Sequence, residues 1–300
     1  MEYFIKNIWP IVKKDCNDIC VYLGIVLTIK EITTYIIPKS ILQIKPIILL
    51  FIIVGCIVII IKNLPKMEYE FNIKNRDIKI KLKIGDIVKE KNAIIVPTNT
   101  TFDTKMENDF ISLHSVQGQV QEKYFKNNLT TLDYLIEKEL ENIDYIELNN
   151  RKDSKKKKYE IGTTVEINQN RNRFYFVADS DINERGQTIN PSITNITDSL
   201  SRLWQYIGEN GHVEDIAIPI IGTGRMGIVN SREEILKYII FSFVASNAMK
   251  KIANELIICI RKKDIKKYNI DIKEIVEYIK YTCEYQYEKI SRIENGIGIG

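Results

Sequence analysis

Residues 46–61, PIILLFIIVGCIVIII, carry no charged or strongly polar side chain over 16 positions. Soluble helices are seldom apolar on every face, and a bilayer core takes about 20 residues of helix. Extended back to Ile41 the run reaches 21 positions, with Lys45 placed to snorkel toward the headgroups. The sequence therefore predicts a spanning helix over 41–61. The stretch before it, 19–37, is 19 residues long and contains Lys30 and Glu31. Such a pair is expensive in lipid unless it faces a partner helix or water. It reads as a second span, with an interfacial amphipathic segment as the alternative. Pro38 and Pro46 break helices between the two runs, as a hairpin turn requires. Lys6, Lys13 and Lys14 before the pair, and Lys62 and Lys66 after it, outnumber Lys39 and Lys45 in the turn. The positive-inside rule then places both ends in the cytoplasm. The expectation is a multi-pass inner-membrane protein: an N-terminal segment 1–65 with helices at 19–37 and 41–61, and a cytoplasmic domain over 66–300. A cleaved signal peptide does not fit, because the apolar run starts late and no small-x-small site follows it.

Over all 300 residues the composition is globular, 45% hydrophobic and 27% charged, with a mean hydropathy of −0.14 that averages two unlike regions. Lys and Arg number 43 against 39 Asp and Glu, a net charge of +4. That is too little to make a nucleic-acid binder by charge. Five scattered cysteines exclude a disulfide scaffold and favour a reducing compartment. From about Asn72 the texture changes. IKIKLKI (78–84), AIIV (93–96), GTTVEI (162–167), FYFV (174–177), IAIPII (216–221) and ELIICI (255–260) read as strands. Residues 131–143, 192–208 and 231–250 and a last segment capped by Asp271 read as helices, Ser231 and Glu234 forming a capping box. Strands alternating with helices imply an α/β fold, a mixed sheet with helices on both faces. The charge run RKDSKKKK (151–158) reads as a solvated loop.

Several chemistries are missing. There are two histidines, His114 and His212, and no metal-ligand or phosphate-loop motif and no nucleophile elbow. No catalytic residue, metal site or resident cofactor is expected. One loop stands apart: after strand 216–221 comes Gly222-Thr223-Gly224-Arg225-Met226-Gly227, followed by a helix. Glycines let backbone N–H groups approach a pyrophosphate, although alone this motif is equally an ordinary tight turn. A Rossmann reading fails, because no acidic residue ends a strand some 20 positions later.

Gly85-Asp86-Ile87 after the first strand, Ile94-Ile-Val-Pro-Thr-Asn99 after the second, and Pro219-Ile-Ile-Gly-Thr-Gly-Arg-Met-Gly227 stand in one order. This arrangement resembles the macro domain, an ADP-ribose-binding module, over about residues 78–261. The resemblance implies that Asp86 accepts from the adenine amino group with Ile87 beside it. It places Asn99 at the distal ribose and Gly222, Thr223, Gly224, Arg225 and Met226 around the diphosphate. Two segments depart from it. Thr100-Thr-Phe102-Asp103-Thr104 replaces a glycine-rich loop, so Thr100, Phe102 and Asp103 become candidates for contacting the ribose or its substituent. In 111–125, Ser115 and Gly118 are candidates for closing the diphosphate side.

A membrane hairpin on such an altered macro domain resembles more narrowly the membrane-associated ThsA macro-domain effectors of type II Thoeris antiphage defence. That resemblance implies a ligand-binding effector with no enzymatic role. Its ligand would be an ADP-ribose derivative, such as histidine-conjugated ADP-ribose, made by a TIR-domain partner. Binding would lead to a homo-oligomer that disrupts membrane lipid, with no nucleic acid involved. The alternatives are a membrane-tethered ADP-ribosyl hydrolase, or a scaffold for ADP-ribosylated partners.

Overall fold

The computed structural model describes residues 66–106, 111–126, 128–151, 154–169, 171–184, 186–222 and 231–286, with a few helical residues between 20 and 58. The chain divides into two units, Met1–Lys66 and Met67–Gly300. In the first, the expected spans at 19–37 and 41–61 fall mostly outside the described residues. Among the described residues no helix is long and apolar enough to cross a membrane.

The second unit is built on a seven-stranded sheet. Its strands are β1 (Glu68–Asn72), β2 (Lys79–Ile84), β3 (Ala93–Asn99), β6 (Thr164–Gln169), β7 (Asn172–Ser180), β8 (Glu214–Pro219) and β9 (Ala253–Ile260), in the order β1-β2-β9-β8-β3-β7-β6. Strands β2, β9, β8, β3 and β7 are mutually parallel, and β1 and β6 close the two edges antiparallel. A separate ribbon pairs β4 (Ile146–Glu147) with β5 (Lys157–Lys158).

Side chains alternate across a strand, and here both faces are apolar, as a sheet covered on two sides demands. Ile95, Tyr175, Ile216, Ile218, Leu256 and Ile258 face one core, filled by helices α3 (Ile193–Asn210), α4 (Arg232–Met249) and α6 (Ile272–Tyr281). Ile94, Val96, Phe174, Phe176, Ala217 and Ile257 face the other, under α1 (Val116–Tyr124) and α2 (Leu129–Glu139). The short helix α5 (Lys262–Tyr268) follows β9. Trp204 of α3 packs edge-on against Phe243 of α4 with its indole N–H donated to Ser242, 2.9 Å away.

The elements expected from periodicity are present, and the start caps form. Ser231 Oγ accepts the Glu234 N–H at 3.1 Å, and Asp271 accepts from Lys273 and Glu274. Three features differ from the reading. β1 alternates half-buried and exposed at the sheet edge, which leaves little apolar signal. α1 is VQGQVQEKY, buried largely through glutamines. The charge run 151–158 is not a free solvated loop: Arg151 is 2% exposed, Lys155 and Lys158 are ion-paired, and Lys157–Lys158 form β5.

Candidate functional site

Five parallel strands bring five carboxyl ends to one edge of the sheet. At that edge the chain leaves β3 toward the face carrying α1 and α2, and leaves adjacent β8 toward the face carrying α4. Such a reversal opens a crevice between neighbouring strands, where open α/β sheets bind ligands. Asp86 follows β2, Asn99 ends β3, Gly222 follows β8, and Ser115 caps α1, so the topology collects residues 136 positions apart in the chain.

The turn after β2 is pinned on both sides. Gly85 N–H donates to Ile260 O at 3.0 Å, and Val88 O accepts from Lys123 Nζ and from Tyr124 Oη, the latter at 3.1 Å. Ile87 enters the core at 3% exposure. Asp86 differs: its Oδ1 is shut off from water and has no hydrogen-bond partner among the described residues. An unpartnered buried carboxylate oxygen is costly, and its presence marks a place for a donor.

The segment after β3 is folded inward. Thr100, Thr101, Phe102, Asp103 and Thr104 are each no more than 3% exposed. Phe102 adopts φ +51 and meets Tyr159 edge-on, with ring centroids 5.8 Å apart. That left-handed backbone replaces the usual glycine turn, and the buried ring offsets a conformational cost of about 1–2 kcal/mol. Asn99 organises the turn: its Oδ1 accepts from Thr101 N and Asp103 N, and its Nδ2 donates to Asp103 Oδ2 at 3.0 Å. Asp103 also accepts from Thr101 Oγ1 at 2.8 Å and forms a buried ion pair with Arg151. Arg151 in turn donates to Thr101 Oγ1 at 2.6 Å and Lys155 O at 2.9 Å. Asn99 stays half-buried at the rim, with its second amide hydrogen left over among the described residues. Thr100 bonds Asp181 at 3.2 Å, beside a cavity of about 380 Å³ whose walls include Tyr145, Tyr159 and Asp198.

Ser115 and Gly118 have local work. Ser115 Oγ accepts the Gly118 N–H at 3.0 Å, and a Cβ on Gly118 would stand 2.2 Å from Ser112 O. Glycine is therefore required by packing at that position. Gln117 and Gln121 donate to Asp103 O and Thr104 O at 2.6 and 2.7 Å, tying α1 to the inward turn.

Gly222, at φ +66, donates its N–H to Asp179 Oδ2 at 2.9 Å, so that amide is already occupied. Thr223, Gly224, Arg225 and Met226 lie outside the described residues. Asp179 was not legible as a site residue. It sits on β7 at 4% exposure, and burial pushes its carboxyl up to about 7, against the Gly222 N–H and Ser180 hydroxyl. The available signal was positional: a parallel pairing of 93–99 with the strand through 174–177 puts the following acids beside Asn99. Arg151 was hidden by its lysine neighbours. Among the described residues no group of His, Cys, Asp and Glu could hold a metal ion.

Comparison with known proteins bears on this arrangement. A curated relative, the Thoeris protein ThsA of Bacillus amyloliquefaciens (strain Y2), is 24% identical over 258 residues, covering 82% of this chain and 85% of the relative. The Oceanobacillus iheyensis macrodomain with ADP is 14% identical, covering 74% of this chain and 97% of that one, with a TM-score of 0.47. The same macrodomain with MES bound gives 14% identity, coverage of 71% and 96%, and a TM-score of 0.48. The family described as Thoeris protein ThsA, Macro domain, matches residues 80–261, from β2 to the residue after β9. The chain belongs to that family of macro domains.

Proposed function

We propose that this chain is an antiphage-defence effector whose macro domain binds an ADP-ribose-derived signal, and that binding drives self-association and disruption of the inner membrane by the N-terminal segment. The observation that carries the binding reading is Asp86 Oδ1, buried and without a hydrogen-bond partner among the described residues at the carboxyl edge of the sheet. A carboxylate there suits an exocyclic amine, and Gly222, at the head of the glycine-rich sequence 222–227, follows β8 on the same edge of the sheet. The signal is an ADP-ribose conjugate, such as the histidine adduct, released by a TIR-domain partner.

The effector reading without catalysis is supported by the turn after β3. A hydrolase needs a free base beside the anomeric carbon, and Asp103 is committed to Arg151 and Thr101 while Asn99 is spent on the turn. The membrane reading is supported by the apolar runs at 41–61 and 19–37. It is supported also by Val21, Ile25, Leu27, Ile53, Val54 and Val58, which are helical and roughly half exposed. Apolar side chains bared on a helix call for lipid or a partner.

Calorimetric titration of the detergent-solubilised chain with ADP-ribose and with its histidine conjugate tests the site, the conjugate expected to bind more tightly. Dye release from anionic vesicles carrying the chain tests the outcome. Saturation with no change in oligomer size and no release would overturn the effector mechanism.

A further inference from the structure

Among the described residues, Asp179 is the one buried acid at this edge that no ion pair explains. Its neighbours on β3 are Thr98 and Asn99, and the turn after β8 gives it the Gly222 N–H. The charged groups of the surrounding elements are otherwise engaged or distant in effect. Asp181 pairs with Lys158 at 2.7 Å and Asp103 with Arg151. Asp86 follows β2, Asp198 lies on α3, and Arg232, Glu233 and Glu234 open α4. None of these enters its titration, which burial raises and only N–H and O–H donors oppose. Arg225 lies outside the described residues.

A carboxyl group taken out of water with neutral donors alone is held toward its protonated form. Here it also sets the backbone: Gly222, the first residue of the glycine-rich sequence 222–227, stands at positive φ with its N–H turned to Asp179 Oδ2. A nucleotide diphosphate arriving at this edge adds negative charge close to a group poised between its two forms. We infer that Asp179 is a positioning residue for Gly222 and that binding of a nucleotide diphosphate is coupled to uptake of one proton at its carboxyl group. The inference rests on the ADP-ribose reading above. ADP-ribose itself does not titrate near neutrality, so the proton belongs to the protein.

The test is calorimetry on the detergent-solubilised full chain with ADP-ribose, at pH 6.0 to 8.5, in buffers of different ionisation enthalpy. For the wild type, affinity should fall by up to about 30-fold across that range, with up to one proton taken up near the top of it. Asp179→Asn retains an acceptor for the Gly222 N–H and should give a flat profile. Asp179→Leu removes the acceptor and should bind weakly at every pH. A flat wild-type profile, an Asp179→Asn profile as steep as the wild type, or Asp179→Leu binding with wild-type affinity would each overturn the inference. If the wild type binds no ADP-ribose at any pH, the functional reading fails on its own. The Gly222 amide resonance of the free chain then still decides whether Asp179 is poised. A midpoint near 7 supports it, and one in the ordinary carboxylate range overturns it.

Discussion

Replacing Asp179 by Asn should stabilise the free protein, and the gain should grow with pH. The carboxyl is raised from its usual value of 3.8 to about 7 by burial, so the folded chain holds the proton more tightly than the unfolded chain does. For an acid shifted upward, its favourable contribution is complete below the unfolded value and is lost as pH rises toward the folded one. Across the whole shift the loss is about 4 kcal/mol, at 1.36 kcal/mol per pH unit. Less than half of this is lost by pH 5, so about 2–3 kcal/mol is lost between pH 5 and pH 8.5. Asn keeps an acceptor for Gly222 N–H and carries no charge to desolvate, so it escapes this loss. Urea unfolding of both proteins at pH 5.0, 7.0 and 8.5, followed by fluorescence of the buried Trp204, measures the difference. An Asp179→Asn protein no more stable than wild type at pH 8.5, or a difference that does not widen with pH, would refute the reasoning.

Arg151→Met removes the partner of a buried Asp103 and should cost about 3–5 kcal/mol, seen as a large drop in melting temperature. Gly118→Ala places a Cβ 2.2 Å from Ser112 O and should destabilise by about 1–3 kcal/mol, measured by thermal shift in the absence of ligand. Asp86→Ala should leave the free protein as stable or slightly more so, because it removes an unpartnered buried oxygen, while weakening ADP-ribose binding roughly 5- to 150-fold by calorimetry. Deleting residues 1–62 should leave that binding unchanged and abolish dye uptake in cells making the signal.

The parallel strands were legible because each is a short run of β-branched residues apolar on both faces, which only a sheet covered on two sides explains. The candidate site is marked in the sequence by short-range chemistry, Gly85-Asp86 at a strand end and the glycines after Pro219. It was not legible where long-range pairing decides. Asp103 looks like a free polar group until Arg151, 48 residues on, is brought against it from a lysine run. Gly118 looks like a ligand's glycine until the Ser112 carbonyl is placed beside it. Asp179 gives no local signal at all, since a strand-end acid is ordinarily solvated; only the parallel register and the Gly222 turn enclose it.

The same contrast separates what this fold supplies from what its ligand must supply. The turn after β3 satisfies its own polar groups, Asn99 to Asp103 to Arg151, and needs nothing from outside to stay in place. At Asp86 and Asp179 the free protein is instead left with one oxygen unpartnered and one carboxyl half willing to ionise. Groups held this way destabilise the empty state and are relieved by a donor or by a proton. A ligand that brings an amine to Asp86 therefore gains affinity from a group the empty protein leaves unsatisfied. Negative charge near Asp179, by contrast, is accepted only with the proton on and loses affinity as pH rises. Asp86→Ala should accordingly weaken adenosine and ADP-ribose alike at every pH, while Asp179→Asn should leave adenosine binding unchanged and remove the pH dependence of ADP-ribose binding alone. Calorimetry of both variants with both ligands measures this, and an Asp179→Asn protein whose adenosine binding changes as much as its ADP-ribose binding would refute the separation.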